Sequence, residues 1–135
     1  MIYVNLKSKY AVSAMFSLAY YGQFCTVRSL SALINVPAPF LEQIMGSLKK
    51  AGLVKSIRGS QGGYQLLKSA NEITVLDILL ALEGPFKLTD GFSVHDVLKT
   101  YWQEVDVGIQ RIFNQSLQNL VDEQKIKEHS LMYSI

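Results

Sequence analysis

The sequence predicts a mainly α-helical fold with a small β-hairpin, arranged as a winged helix-turn-helix followed by a long helix. Apolar residues recur at helical spacing in several separate stretches. A glycine-rich loop at residues 58–63 divides two stretches in which apolar and polar residues alternate. The charge is also divided, because residues 1–71 contain eight Lys and Arg against one acid and residues 72–135 contain five against ten. Such asymmetry is expected when one module faces phosphates.

The first two helices have clear ends. Apolar spacing predicts a helix from Ser8 to Tyr21 that stops at Gly22. Thr26 is placed to cap a second, short helix that ends near residue 34, and residues 35–37 supply a turn before the third helix. Two helices joined by such a turn have the layout of a helix-turn-helix, in which the third helix of this chain would read DNA.

The third helix and the hairpin form the centre of the predicted site. An apolar stripe begins at Phe40, and the helix ends near Ala51, where two lysines precede Gly52. The hairpin then consists of one strand at residues 53–57, the tip at residues 58–63 and a returning strand at residues 64–67. The tip is basic, because it begins with Arg58.

The back half begins with a fourth helix. Thr74 and Asp77 match a capping box, and Gly84 closes the apolar stripe that follows. Ser93 and Asp96 predict a similar cap for a long helix that reaches about residue 114 and is ~30 Å long. A further short helix is predicted at residues 117–124, whereas residues 125–135 carry no pattern that predicts a structure.

Residues 41–64 contain the runs LEQI, LKKAGLVKS, RG and GGY, in that order. Together these runs resemble the sequence signature of the Rrf-two family of bacterial winged-helix transcription regulators. The resemblance extends to residues 7–11 and to residues 72–75 and 81–85, so that it covers roughly residues 4–86 well and thins beyond. It implies residues 1–85 as a DNA-binding domain, and residues 86–135 as a loop, a dimerisation helix and a tail. It also implies a homodimer on a palindromic operator, because the long helix of the family crosses its mate.

The long helix supplies the predicted dimer interface. Its apolar positions recur at steps of three and four, and they are Leu98, Tyr101, Val105, Ile109 and Ile112. Packing of this stripe along the flank of the winged domain of the same chain is the alternative.

Candidate DNA contacts follow from chemistry and position. The residues expected at base edges are Glu42, Gln43 and Ser47, although Glu42 could instead pair with Lys49 or Lys50. The residues expected at phosphates are Arg28, Lys49, Lys50 and Lys55. Arg58 with Gly59 is expected to enter a narrow minor groove, a task that the resemblance also assigns to this pair. Pro37 departs from the family, in which many members have a capping Ser at that position.

The single cysteine limits the chemistry. One cysteine, Cys25, excludes a disulfide framework and a four-cysteine metal site within the chain. Iron–sulfur members of the family carry three cysteines between the fourth and the long helix, where residues 86–101 contain none. Cys25 lies beside the predicted cap of the second helix, where a lowered thiol pKa and a redox role are one interpretation and a buried small residue the other. His95 and His129 match no metal or catalytic pattern, so we expect no cofactor and no enzyme.

The predicted function is a homodimeric, sequence-specific DNA-binding regulator, a repressor that is released by a signal the sequence does not name, with a small molecule or a protein as candidate effectors. An aromatic pocket of Phe86, Phe92, Tyr101 and Trp102 would be one place for a small molecule. No apolar run approaches the ~18 residues of a membrane span, so we expect a cytoplasmic protein. The alternative functions are a protein-interaction adaptor that no longer reads DNA and a repressor that senses redox state or a small molecule.

Overall fold

Helices and short strands follow one another in the order that a winged helix-turn-helix requires. The computed structural model describes residues 4–22, 24–59, 61–85 and 94–133. Within those residues the elements are α1 (Leu6–Tyr21), β1 (Cys25–Thr26), α2 (Val27–Ile34), α3 (Ala38–Lys50), β2 (Val54–Ile57), β3 (Gly63–Leu66), α4 (Val75–Glu83), α5 (Asp96–Phe113) and α6 (Leu117–Tyr133). The predicted fold class, mainly helical with a small winged sheet, is confirmed.

Side chains near the helix ends explain where the first helices begin. The Asn5 side chain accepts a hydrogen bond of 2.9 Å from the Ser8 backbone N–H, so α1 begins two residues before the predicted Ser8. Thr26 caps α2 as predicted, because its hydroxyl oxygen accepts from the Ser29 N–H at 3.0 Å. Gly22 ends α1 in the left-handed conformation at φ 66°.

The core lies where α1, α2, α3 and α4 meet. Each helix contributes fully buried apolar side chains, and the largest of them include Met15, Leu18, Leu30, Leu41, Ile44, Met45, Leu48, Ile78 and Leu79. Burial of side chains of this size removes enough apolar surface from water to hold the helices together. The third helix is therefore fixed along one face, and its other face is left exposed.

The wing has three strands and not the two that the sequence predicts. The sheet order is β1-β3-β2, with both pairs antiparallel, and β1 is only two residues long. Gly63 explains how β1 and β3 approach, because a Cβ atom at this position would lie 2.1 Å from the Cys25 carbonyl oxygen. Such an approach admits only glycine. The wing is thereby joined to the segment that caps α2.

The capping box of α4 is confirmed. The Thr74 hydroxyl accepts from the Asp77 N–H at 3.1 Å, and the Asp77 carboxylate accepts from the Thr74 N–H at 3.0 Å. At the other end of α4, the Glu83 carboxylate accepts from the Ser8 hydroxyl at 2.7 Å and from the Asn5 amide at 2.8 Å. These bonds join the end of α4 to the start of α1.

The long helix α5 differs from its prediction at the N-terminus. It begins at Asp96, with His95 at the N-cap position and no side-chain cap, and Ser93 lies outside the described residues. Its 18 residues make a helix ~27 Å long. No side chain of α5 is fully buried. The helix therefore leaves the core that holds α1 to α4.

The final helix is longer than predicted. Where the sequence indicates a helix ending at residue 124, α6 has 17 residues and ends at Tyr133. Its first turns bury Leu117 and Val121, and further along the Tyr20 hydroxyl of α1 donates to the Glu128 carboxylate at 2.8 Å. Leu117 belongs to the same core as α1, so that α6 returns to the winged unit. The division at residues 85 and 86 stays a prediction.

Candidate nucleic-acid interface

The helix α3 presents a polar face opposite its buried stripe. Glu42, Gln43, Lys49 and Lys50 are exposed and Ser47 is partly exposed. Residues three and four positions apart lie on the same side of a helix. Gln43 and Ser47, four residues apart, therefore share one accessible side of α3, and Glu42 is exposed beside it.

The start of α3 has no side-chain cap. Pro37 occupies the N-cap position, and its carbonyl oxygen accepts from the Leu41 N–H at 3.0 Å. The capping contact expected of a Ser at this position is therefore missing from α3. The first N–H groups of α3 receive no cap from Pro37, and such groups favour an anion near the helix start.

A hydrogen bond joins α3 to the wing. The Lys49 ammonium donates to the Ser56 hydroxyl on β2 at 2.9 Å. The partner of Lys49 in this structure is therefore Ser56 of the wing, and not Glu42 as the alternative interpretation had it. An ammonium has three donors, so the same group can also contact a phosphate.

Glu42 lies on the side of α3 that faces the wing. Burial raises the pKa of the Tyr64 hydroxyl on β3, and the negative charge of Glu42 raises it further. Glu42 lies seven residues before Lys49 and thus on the same side of α3, the side that is bonded to β2. The recognition helix and the wing therefore form one continuous surface.

The wing tip needs a glycine beside its arginine. Arg58 and Gly59 are both exposed, and Gly59 has a φ of 135°, a conformation that L side chains rarely adopt. Lys55 is exposed on β2. The predicted pair of Arg58 and Gly59 therefore lies at an accessible turn. Gly59 has no side chain that could obstruct the arginine beside it.

A groove of about 610 Å³ separates the start of α2 from the wing. Its lining includes hydroxyl, amide and guanidinium groups, and it consists of Thr26, Val27, Arg28, Ser29, Ser31, Ala38, Gln61 and Gly62. Donors of these kinds are the groups that contact a nucleic-acid backbone. Gln61 was not among the residues predicted from the sequence, although its place in a tip that begins with Arg58 was a usable signal.

Cys25 is a buried residue of β1. Its side chain is 8% exposed, and burial raises the pKa of the thiol. Of the two interpretations that the sequence left open, the raised pKa speaks against the lowered one, and its cause is the loss of solvent around the thiol. This burial favours the interpretation of Cys25 as a small core residue.

Comparison with known proteins identifies the family. The profile described as Rrf2, an iron-dependent transcriptional regulator, matches residues 4–123. This chain belongs to the Rrf2 family. The HTH-type transcriptional regulator CymR of Bacillus subtilis is 40% identical over 84 residues, which span 61% of this chain and 61% of CymR. IscR of Photorhabdus laumondii is 32% identical over 130 residues, which span 89% of this chain and 79% of IscR.

Solved structures of Rrf2 relatives share the whole arrangement. The structure of CymR, described as the global cysteine regulator of B. subtilis, has a TM-score of 0.82 at 28% identity and covers 91% of this chain and 98% of that one. The structure of T. potens IscR has a TM-score of 0.74 at 36% identity, covering 91% and 88%. The Rrf2 chain described here is therefore a DNA-binding transcriptional regulator and not an enzyme.

The family's description mentions iron, but the three cysteines that hold the cluster in iron–sulfur members have no counterpart in this Rrf2 chain. Cys25 is buried in β1, and the segment of residues 86–101, where iron–sulfur members have three cysteines, has none. His95 lies at the start of α5, and the ring of His129 contacts the Tyr133 ring at 4.6 Å. Within the part of the chain that the structure describes, no three His, Cys, Asp or Glu residues are grouped to hold a metal ion. The residues do not fit a cysteine-ligated cluster.

Three of the five residues in the predicted dimer stripe of α5 are exposed to solvent. Leu98, Tyr101 and Ile112 are 43%, 54% and 73% exposed, whereas Val105 and Ile109 are partly buried. Tyr101 contacts the Trp102 ring at 5.2 Å, but Phe86 and Phe92 of the predicted aromatic pocket lie outside the described residues.

Among the described helices, none is both long and apolar enough to cross a membrane.

Proposed function

We propose that this Rrf2 regulator is a homodimer that binds a palindromic operator sequence-specifically and represses transcription in the cytoplasm. The observation that carries the proposal is the continuous surface of α3 and the wing. On it the exposed polar face of α3 is bonded to β2 through Lys49 and Ser56.

The roles on that surface follow from side-chain chemistry. Gln43 can form two hydrogen bonds to adenine, Glu42 can accept from a cytosine amine, and Ser47 can bond to several bases. The cations assigned to phosphates are Arg28, Lys49, Lys50 and Lys55, all of them exposed. Arg58, beside Gly59, would enter the minor groove, where a narrow groove concentrates negative potential.

The exposed stripe of α5 supports the homodimer. A protein of this size gains little from leaving large apolar side chains in water, so an exposed apolar row indicates a partner. A two-fold dimer would present two α3 helices to half-sites about one helical turn, ~34 Å, apart. Repression follows as the simplest outcome, because a protein that occupies promoter DNA competes with polymerase for it.

A small-molecule effector is better supported as the signal than oxidation of Cys25. An open groove of about 510 Å³ lies beside α2 and is lined by Tyr21, Phe24, Cys25, Thr26, Ser29, Ala32 and Leu33. Mostly apolar lining with a few hydroxyl groups suits a small ligand. The raised pKa of Cys25, by contrast, lowers the fraction of reactive thiolate.

A DNA-binding titration tests the proposal. Fluorescence anisotropy would compare the DNA upstream of the chain's own gene with a scrambled duplex of equal length, at two salt concentrations. We expect tighter binding to the upstream DNA at both salts and a loss of affinity for both duplexes at the higher salt. Equal affinity for the two duplexes would reject sequence-specific binding and favour the adaptor.

A further inference from the structure

The exposed side of α5 contains a notch at Gly108. A groove of about 390 Å³ surrounds it, lined by Thr100, Gln103, Glu104, Val107, Gly108 and Arg111, all on α5 itself. A Cβ atom built on Gly108 would meet nothing within 4 Å. The packing of the described residues therefore gives no reason for a glycine at this position. Glycine is among the poorest helix formers, so its presence in the middle of α5 calls for a close neighbour.

Gly108 lies in line with an apolar row of α5 in which Leu98, Tyr101 and Ile112 are exposed and Val105 is partly buried. Leu98, Tyr101, Val105 and Ile112 leave one gap in an alternation of three and four residues, and Gly108 fills it. This spacing is that of the contact positions in a pair of packed helices. Ile109, which the sequence assigned to this row, is partly buried, whereas Ile112 is 73% exposed. A glycine at a contact position allows the backbone of a second helix to approach closely.

The charges beside the notch are opposite in sign and symmetric about it. Glu104 and Arg111 are both exposed and lie on the same flank of Gly108. Seven residues separate them, about 10.5 Å along the axis, which is too far for a direct ion pair within one helix. Their midpoint falls between Val107 and Gly108. A two-fold axis at that midpoint would place each Glu104 opposite Arg111 of a second copy.

We propose that two copies of α5 cross in opposite directions at Gly108, with Glu104 of each copy paired to Arg111 of the other. The inference rests on the proposed homodimer and specifies where its helices meet. A second copy of this chain is the occupant that the charges favour, because the two-fold arrangement satisfies both Glu104 and Arg111 with the same helix. The notch supplies the space, the apolar row supplies the contact and the charges set the direction and register.

A charge exchange tests the pairing. Glu104→Arg and Arg111→Glu each place like charges together at two equivalent positions, so we expect the dimer dissociation constant of each single variant to rise about tenfold. The double variant, E104R with R111E, restores both pairs and should dimerise within about threefold of the unchanged protein. Lys99→Glu is the control, because Lys99 lies nine residues from Gly108 and thus on the opposite side of α5. It alters the charge as Arg111→Glu does, and it should leave the dissociation constant unchanged.

Mixing the two single variants gives a sharper result. In a heterodimer of Glu104→Arg with Arg111→Glu, two arginines of one copy face two glutamates of the other. Native mass spectrometry of the mixture should show the heterodimer in clear excess over the statistical half. Because α5 has no fully buried side chain, the variants are expected to fold, and circular dichroism checks this.

Gly108→Ala tests the close approach, because the dimer dissociation constant rises if the helices cross at Gly108 and stays the same or falls if they do not. If the helices cross at Gly108, the added methyl group separates them and raises the dissociation constant by about tenfold, although alanine favours the helix. Gly46→Ala is the matched control, since Gly46 also lies in a helix and its added Cβ would meet nothing within 4 Å. It should leave dimerisation unchanged.

The outcomes separate this inference from the proposed function. A dimeric protein in which Gly108→Ala binds as tightly or more tightly, and in which the charge variants behave like Lys99→Glu, overturns the crossing and leaves the homodimer intact. An unchanged protein that is a monomer in sedimentation overturns both. A heterodimer excess together with recovery in the double variant supports the crossing.

Discussion

The helices α3 and α5 carry similar apolar stripes and use them in different ways. In α3, Leu41, Ile44, Met45 and Leu48 are fully buried, whereas no side chain of α5 is. The contrast is clearest between two leucines, since Leu48 is 0% exposed and Leu98 is 43% exposed. An apolar stripe at helical spacing therefore indicates a face that favours burial, but it does not indicate which segment or which chain covers that face.

Neighbouring elements account for the difference. α3 follows a three-residue turn after α2 and contacts α1, α4 and β2, so its stripe meets a core of the same chain. α5 follows residues 84–95 and has few contacts with α4, so most of its stripe remains exposed. Stability of the winged unit should therefore depend on α3, and assembly should depend on α5.

The largest expected effect is loss of stability from a core truncation. Leu48→Ala removes a fully buried side chain and should lower the free energy of unfolding by about 2–5 kcal/mol, at every protein concentration. Leu98→Ala is the matched control in α5, and its effect should depend on protein concentration, because unfolding of a dimer is linked to dissociation. Urea unfolding at three protein concentrations measures both. A concentration-independent loss of equal size for Leu98→Ala would show that α5 packs on its own chain.

A charge within the α5 stripe should have the next largest effect. Val105→Glu places a carboxylate in the predicted contact row and should weaken the dimer about 100-fold or more, while helical content is kept. Sedimentation and circular dichroism measure the two quantities. Lys99→Glu, on the face away from the stripe, should leave the dimer intact. If the dimer survives Val105→Glu, Ile109→Glu tests the neighbouring position, and a dimer that survives both variants would move the interface away from α5.

Arg58 and Lys50 should separate recognition from general attraction within the winged unit. Arg58→Ala should weaken operator binding by about 1–3 kcal/mol with a smaller loss on random DNA. Lys50→Ala should weaken all sequences alike and reduce the salt slope by about one. Anisotropy titrations over a salt series measure both. An equal loss on operator and random DNA for Arg58→Ala would remove its role in recognition, whatever the state of the α5 interface.

The thiol of Cys25 should react slowly in the folded protein. Because burial raises the thiol pKa, less thiolate is present at neutral pH than for an exposed cysteine, and reactivity grows only as pH rises toward the raised pKa. We expect slow reaction with a small aromatic disulfide in the folded state and rapid reaction in urea. DNA binding should be unchanged by dilute peroxide, as it is in a Cys25→Ser control. Reversible loss of binding in the unchanged protein alone would restore the redox hypothesis.

Removal of iron should have no effect on DNA affinity, which makes this the smallest of the expected effects. A chain whose residues do not fit a cysteine-ligated cluster should purify without oxygen as a colourless protein and keep its DNA affinity in the presence of a chelator. Iron analysis, visible absorption and anisotropy measure these properties. Stoichiometric iron with visible absorption would mean that ligands from more than one chain meet in the assembly.

The parts predicted well from the sequence depend on interactions between near neighbours in the chain. Thr26 caps α2, and Thr74 with Asp77 forms the capping box of α4, each through bonds that span three residues. Gly22 ends α1 for the same local reason. The exposed side of α3 also followed from spacing, because residues four apart share a helix face. The sequence by itself thus determined the order of helices, the wing and the candidate DNA-contacting side chains.

Tertiary structure decided what depends on approach between distant segments. The strand β1 exists because Gly63 allows β3 to lie against Cys25, and that same packing buries the thiol and raises its pKa. Lys49 contacts Ser56 because the wing folds back onto α3. The length of α6 depends on contacts with α1, such as the bond between Tyr20 and Glu128. Spacing along a chain determines which side chains share a face, but desolvation and long-range hydrogen bonds arise only when the fold places another segment against that face.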